Sequence, residues 1–453
     1  MMTALRTAIV PFYILLCIML GGSAQGMWGN MALQLIGIGI IAWTLLDANS
    51  LRVPKPAKSL FAIAGAAVAL VVVQLIPLPP GLWQALPGRE PIAEGFVLLG
   101  QKAPWLPLSL APYETMVAAM SLIPPLAVLS GMLIARAFRP GWLVLAILAG
   151  TLAAVLLGAL QVSSASPMQS PWYLYRRTNH GVAVGFFANS NHMATLLVVS
   201  LAFLAAFLAA LRARVKHEKA GSAVLLLAVA GSLTLIVGIA LNGSLAALLL
   251  GLPVAAVSVA MFLPQSRRLS FPVAAMALVS VVAVAVVYMS PLQDRLAASN
   301  ATSFESRGKF WSNGVSAIGD HGLVGSGLGS FPDLYPRYED QAAVTRTFVN
   351  HAHNDYLEIA LETGISGIAL LIGFFAWWIR RASVIWRSAV ADRFAQAATI
   401  ASAAILVHSL VDYPLRTAAL SAIFAGCLAL MVQTRIRDPK HAADLWPTRH
   451  LAG

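Results

Sequence analysis

Gly141-Trp-Leu-Val-Leu-Ala-Ile-Leu-Ala-Gly-Thr-Leu-Ala-Ala-Val-Leu-Leu-Gly-Ala-Leu-Gln-Val162 contains no charged residue. As a helix it would rise roughly 33 Å, enough to cross the hydrocarbon core of a bilayer. Arg136 and Arg139 precede it, and Ser163-Ser164 follow it. Working outward, eleven further apolar runs of near-spanning length are found, at about 7–22, 27–46, 59–78, 115–135, 186–211, 221–241, 243–263, 271–290, 356–379, 394–411 and 417–434. The runs at 221–241 and 243–263 are so close that they must form a tight helical hairpin. The chain of 453 residues is 59% hydrophobic and only 11% charged, with mean hydropathy +0.78. Soluble domains carry about a quarter charged residues, so the composition excludes a disordered chain, a disulfide scaffold and an ordinary cytosolic enzyme. The expected fold is an all-α polytopic membrane protein of about twelve transmembrane helices, one domain over 1–453.

Charge sets the expected orientation. With the N-terminus in the cytoplasm, the inner segments hold 20 of the 30 Lys and Arg but only 5 of the 18 Asp and Glu. That is the positive-inside pattern, and it accounts for the net charge of +12 without nucleic acid as a partner. Both termini are then cytoplasmic. Arg6, its apolar stretch and Gly22-Ser23-Ala24 also read as a signal peptide; an uncleaved first helix keeps the span count even. Cys17 and Cys427 lie inside apolar runs and read as buried thiols. Three outer segments are long enough to build a site: 79–114, 163–185 and the large loop 291–355. The first opens with Gln74-Leu-Ile-Pro-Leu-Pro-Pro80, whose prolines should end the third helix in an extended exit.

Chemistry-bearing residues gather in those outer segments. His351-Ala-His353-Asn-Asp-Tyr-Leu-Glu358, followed by Ile-Ala-Leu-Glu-Thr-Gly364-Ile-Ser-Gly367, begins a helix that Asn354 can cap. Asp355, Glu358 and Glu362 fall on one helical face, and Leu357, Leu361 and Ile365 on another. His353, beside free helical N–H groups that favour an anion, suits general base work. A helix cap with a backbone-satisfied histidine is the competing reading, and a His351/His353 metal pair lacks an evident third ligand. Phe304, Arg307, Trp311, Val315 and Ile318 recur at helical spacing, and Arg307 could clamp phosphate oxygens or stack on Trp311. Gly322–Phe331 is glycine-rich but reads as a tight turn, since no strand precedes it and no helix follows it as a nucleotide loop requires. His408-Ser-Leu-Val-Asp412-Tyr-Pro414-Leu-Arg416 offers an i,i+4 pair in which Asp412 could orient a histidine or pair with Arg416. Arg176 and Arg177 could hold a phosphate or meet anionic headgroups. Asn189 and Asn191 read as helix caps.

Together these elements resemble the O-antigen ligase / O-antigen polymerase family of bacterial envelope glycosyltransferases. The closest correspondence is His-Asn, nine residues, then Gly-x-x-Gly, filled by His353, Asn354, Gly364 and Gly367. Arg307…Trp311…Gly325-Ser-Gly327, Gly185…Asn189-Ser-Asn191 and His408…Asp412 are similar to further family features, so the likeness spans about 185–416.

The resemblance implies a GT-C-like inner-membrane enzyme that works at a large periplasmic loop without a cofactor or metal. The implied donor is an undecaprenyl-diphosphate-linked glycan. The implied acceptor is lipid A core or another lipid-linked glycan. His353 matches the family's acceptor base and Arg307 its leaving-group arginine, with Arg176, Arg177, Asn354, His351, Trp311, His408, Asp412 and Arg416 as substrate-binding candidates. One departure stands out: the family often carries Ser-Arg-Gly where this chain has Asn242-Gly243-Ser244-Leu245. Arg176 or Arg177 could replace that arginine, or the member could be a polymerase or general polysaccharide transferase rather than a ligase. A membrane transporter of a lipid-linked glycan or small anion, and a non-catalytic scaffold, are the alternatives. Ionisable residues cluster at outer helix ends instead of lining a path, which favours surface chemistry.

Overall fold

A backbone in hydrocarbon must satisfy its own N–H and C=O groups, so long apolar runs become helices. The computed structural model describes residues 2–23, 27–47, 53, 55–213, 218–259, 261, 308–340, 344, 349–388 and 392–433. Its principal helices are α1 (Met2–Leu20), α2 (Trp28–Leu46), α3 (Lys55–Leu75), α4 (Pro112–Ser121), α5 (Ile123–Leu133), α6 (Pro140–Val162), α7 (Ser190–Arg212), α8 (Glu218–Asn242), α9 (Leu245–Val259), α10 (308–321), α11 (Asp355–Arg387), α12 (Arg393–His408) and α13 (Ala418–Val432). Eleven of the twelve apolar runs fall on these helices; the run at 271–290 lies outside the described residues. Among the described residues, seven helices are long and apolar enough to cross a membrane, α4 and α5 counting together as Pro112–Leu133. The chain is therefore a mostly helical, multi-pass membrane protein.

The centre of the bundle is α12 on α7 and α13, with α1 against α6 and α13. Nearly all of α12 is buried, and Ala395, Ala397, Ala398, Ala401 and Ala404 give it a small-residue surface. Small side chains let helices approach closely where hydrocarbon gives no hydrophobic drive. Cys17 and Cys427 are free and buried in this core. The seventh and eighth runs are joined as closely as expected, by Gly243-Ser244 with Gly243 at φ +64°, but α8 and α9 pack on α7 more than on each other.

Proline ends α3 as anticipated. Pro77 and Leu78 run extended and pair antiparallel with Pro107 and Leu106. The segment after this ribbon meets the glycine-rich turn of the large loop, where Leu110 N–H donates to Ser326 O (2.8 Å). The turn at 322–329 is the tight one read from sequence, with Gly325, Gly327 and Gly329 all at positive φ.

Two periodic readings need correction. Gly364 sits at φ +61°, ψ −152° and breaks α11 after its first nine residues. Ile365 therefore leaves the face of Leu357 and Leu361 and is exposed. The buried face of α10 runs through Phe310, Gly314, Ala317 and His321, while Val315 is exposed. The reason is steric: a Cβ on Gly314 would lie 2.5 Å from Leu357 Cδ2, so α10 approaches α11 on its small residues. Phe304 and Arg307 lie outside the described residues.

Candidate active site

The break at Gly364 creates the site's floor. It leaves the Leu361 and Glu362 carbonyls without their ordinary intrahelical donors. Ser326 N–H (3.0 Å) and Gly327 N–H (2.9 Å) take their place, and Gln74 Nε2 adds a bond to Glu362 O (2.7 Å). Gln74 Oε1 also accepts from Leu328 N–H (2.9 Å), so the end of α3 staples the turn to the short first segment of α11. No Cβ fits at Gly364, since it would lie 2.8 Å from Gly322 O, Gly325 N and Leu323 O.

The first segment of α11 presents its acidic face to Arg416. The Arg416 guanidinium lies 2.9 Å from Glu358 Oε2, 3.0 Å from Glu362 Oε2 and 3.6 Å from Asp355 Oδ1. The shared face read from sequence is thus real, and its partner is one guanidinium. The sequence left open whether Asp412 pairs with Arg416 or orients a histidine; Arg416 pairs with these three acids instead of with Asp412. Burial opposes the charge on Arg416, but Glu358, Glu362 and Asp355 outweigh it and hold the guanidinium above its usual pKa. Ser409 closes the corner: its hydroxyl donates to Asp355 Oδ2 (2.8 Å), and its carbonyl accepts Asp355 N–H (2.9 Å).

Asp412 instead organises histidines. α12 stops at His408, so Asp412 lies in the following turn and not on the same helix, although its N–H still bonds His408 O (3.0 Å). Its Oδ1 lies 3.4 Å from His353 Nδ1 and 3.8 Å from His192 Nε2, and accepts Tyr413 N–H (2.9 Å). Burial alone would raise the Asp412 pKa. The neighbouring His353, His192 and His408 rings overcome this and hold it well below the usual carboxylate range. His408 Nδ1 lies 2.6 Å from Thr195 Oγ1.

Tyr413 joins the two clusters. Its ring lies 4.0 Å from His351 and 5.0 Å from both His353 and His192, centroid to centroid. Burial, with the Asp412 charge, pushes its phenol up to about 12. His351 Nδ1 is 3.1 Å from Glu358 Oε2, linking the histidine segment back to Arg416.

His353 itself is held in an unusual backbone state, φ +52°, one of two non-glycine residues with positive φ among those described. Such strain persists only where surroundings over-determine it. Both backbone groups of the preceding residue are clamped: Ala352 N–H donates to Glu358 Oε1 (2.7 Å), and Ala352 O accepts from Trp311 Nε1 (3.1 Å). On the other side Asn354 caps α11, accepting from Tyr356 and Leu357 N–H (3.0 and 3.1 Å). The His353 ring stacks on Phe310 at 6.3 Å and keeps 23% of its side chain exposed. A buried carboxylate facing one nitrogen, with the rest of the ring partly exposed, makes a proton acceptor of defined orientation.

Of the candidate residues, His351, His353, Asn354, Trp311, His408, Asp412 and Arg416 are brought together. Arg176 and Arg177 are exposed on the 163–189 segment. Arg307 lies outside the described residues. Sequence reasoning did not place His192, Thr195, Tyr413 or Gln74 in the site. The first two continue a motif read as a helix cap; a glutamine at the end of an apolar run was the available signal for the fourth. Asn189 caps α7 as anticipated, accepting from Asn191 N–H (2.9 Å). Among the described residues no group of three or more His, Cys, Asp or Glu is arranged to hold a metal ion.

Beside this cluster a cavity of about 450 Å³ runs between α2 and α4–α5. Met27, Trp28, Met31, Val117, Met120 and Pro124 line it, and Arg416 is its charged wall.

A family model described as O-antigen ligase matches residues 230–372. The match takes in His353, Asn354, Gly364, Gly367 and the turn at 322–329, and stops short of the His408–Arg416 corner. No curated protein matches the chain. Residues 230–372 are therefore similar to the O-antigen ligase family, whose members act in glycan transfer on lipid-linked glycans.

Proposed function

We propose that the protein is an inner-membrane transferase that moves an undecaprenyl-diphosphate-linked oligo- or polysaccharide to an acceptor hydroxyl on the periplasmic face. In this reading the bundle is GT-C-like, with about twelve spans, both termini cytoplasmic and the site on the outer end. The observation that carries it is the His353–Asp412 pair, 3.4 Å apart, on a strained and doubly clamped loop. The Asp412 carboxylate, 3.4 Å from Nδ1, favours a proton on that nitrogen, so Nε2 is the nitrogen left for substrate.

The step follows from that geometry. Nε2 of His353 takes the proton of the acceptor hydroxyl. The oxygen bonds to the anomeric carbon as the bond from that carbon to the diphosphate oxygen breaks, and the electron pair leaves with the diphosphate. Asp412 stabilises the imidazolium that forms. A positioned base contributes about 10²–10⁴-fold. Charge building on the diphosphate needs preorganised cations, a role we give to Arg307, with Arg176 and Arg177 exposed as further phosphate contacts. Arg416 is neutralised by three carboxylates and is assigned to the architecture of the site. The apolar cavity beside it offers a course for the substrate's hydrocarbon chain.

The test is a deletion strain complemented with wild type, His353→Ala or Arg307→Ala at matched protein levels, with lipopolysaccharide and lipid-linked glycans resolved on gels. Long chains retained on undecaprenyl diphosphate in the mutants identify a ligase; accumulated single repeat units identify a polymerase. Wild-type patterns in every strain would refute the transferase and leave transport as the surviving reading, to be measured as solute uptake into liposomes.

A further inference from the structure

Asn191 and Ser244 are tied into the site by hydrogen bonds that the proposed chemistry does not use. Asn191, the second residue of α7, donates from Nδ2 to Asp412 Oδ2 (2.6 Å). Its Oδ1 accepts from Ser244 Oγ (2.7 Å). Ser244 lies in the α8–α9 turn, which Asn242 fixes by donating to Ala183 O (2.8 Å) and Ser190 O (2.9 Å). Both Asp412 and Ser244 are buried.

The chemistry of these groups leaves one arrangement. An ionised carboxylate only accepts, so the carboxamide nitrogen must face Asp412. The carboxamide oxygen then faces Ser244, whose hydroxyl must donate. The two Asp412 oxygens thereby divide their work. Asn191 holds Oδ2, while Oδ1 meets Tyr413 N–H and His353. Without Asn191, Oδ2 loses its donor, and the carboxylate is free to rotate away from His353.

We propose that Ser244 and Asn191 are positioning residues for the transfer reaction, holding Asp412 so that Oδ1 faces Nδ1 of His353 and Nε2 faces the acceptor. The proposal rests on the transferase reading above. It also gives a use to the turn Asn242-Gly243-Ser244-Leu245, which lacks the arginine that the resemblance led one to expect there.

The experiment measures glycan transfer from a purified undecaprenyl-diphosphate-linked glycan in detergent, with kcat and KM resolved separately. Asn191→Leu is expected to lower kcat by about 10- to 100-fold, a fraction of a general base's contribution, with KM little changed. Ser244→Ala should fall in the same direction, and Ser244→Thr, which keeps the hydroxyl, should restore kcat. Asn191→Asp sets two carboxylates together, which cannot both be ionised at this distance. When they share a proton, the new residue can donate as the amide did. Its activity should be lost at pH 8 and partly regained toward pH 6. His192, His353, His408 and Asp355 also face Asp412, so the wild-type profile is the reference for that shift.

An active wild type with unchanged kcat in Asn191→Leu, or equal activity in Ser244→Ala and Ser244→Thr, would overturn the positioning role alone. If Asn191→Leu does not fold, the Ser244 pair decides. A wild type as inert as His353→Ala would overturn the transferase reading and this inference with it.

Discussion

Replacing Arg416 by methionine should unfold the site from its most buried charges outward. The guanidinium serves three carboxylates at 2.9, 3.0 and 3.6 Å, and the Glu358 and Glu362 side chains have no exposure at all. Removing one partner of a buried ion pair costs about 3–5 kcal/mol, because the remaining charge is left uncompensated. Here one substitution uncovers three buried acids, which take up protons once their counter-ion is gone, and a loss of about 3–5 kcal/mol is expected. Glu362→Gln leaves Arg416 with two carboxylates and should cost far less. Glu358→Gln and Glu362→Gln together in the Arg416→Met background should recover a large part of the loss, since neutral amides need no counter-ion. Arg416→Lys keeps the charge but not the planar fork and should fall between. Unfolding of the purified protein in mixed micelles of rising SDS content, followed by tryptophan fluorescence, measures each midpoint. An Arg416→Met midpoint within about 1 kcal/mol of wild type, the size of an exposed pair, would refute the buried cluster.

Gly364→Ala should destabilise by about 1–3 kcal/mol, the range for a residue forced into a sparsely populated backbone region, read as a loss of monodisperse protein on fluorescence size-exclusion. Asp412 has a folded pKa below its unfolded value, so its stabilising contribution is present above about pH 4 and is lost as pH falls through the folded value. The stability gap between wild type and Asp412→Asn should therefore not shrink from pH 8 to 5, and should narrow only in stronger acid; a gap that closes between pH 7 and 5 would contradict the assignment. Met120→Trp narrows the apolar cavity, and should reduce the advantage of long-chain over short-chain prenyl donors in KM. Retention of that advantage would exclude the cavity as the chain's course.

Much of this protein was legible because hydropathy and periodicity are local signals. The apolar runs marked the helices, Asn354 and Asn189 announced their caps, and Asp355, Glu358 and Glu362 declared a common face. The break at Gly364 was hidden because the apolar spacing continues through it, and only the close approach of the 322–325 backbone requires it. The partners of Asp412 were hidden for another reason. Asn191 and His192 lie about 220 residues earlier in the chain, and no local pattern says which carboxylate an asparagine in a helix's first turn will meet. Val315 misled because α10 uses Gly314 and Ala317 as its contact surface, and small residues carry little hydropathic signal.

The staple made by Gln74 also bears on the order in which the molecule is completed. Its two bonds, to Glu362 O and Leu328 N, span 288 and 254 residues. The acids of α11 are synthesised more than fifty residues before Arg416, the guanidinium that all three face. During synthesis the first turns of that helix are therefore carboxylate-rich and short of positive charge, which opposes their settling into hydrocarbon. Only the last hairpin, α12 to α13, brings the guanidinium that makes the corner electrically acceptable. A chain cut before residue 416 would lack the guanidinium that all three acids face, and the corner would stay unclosed.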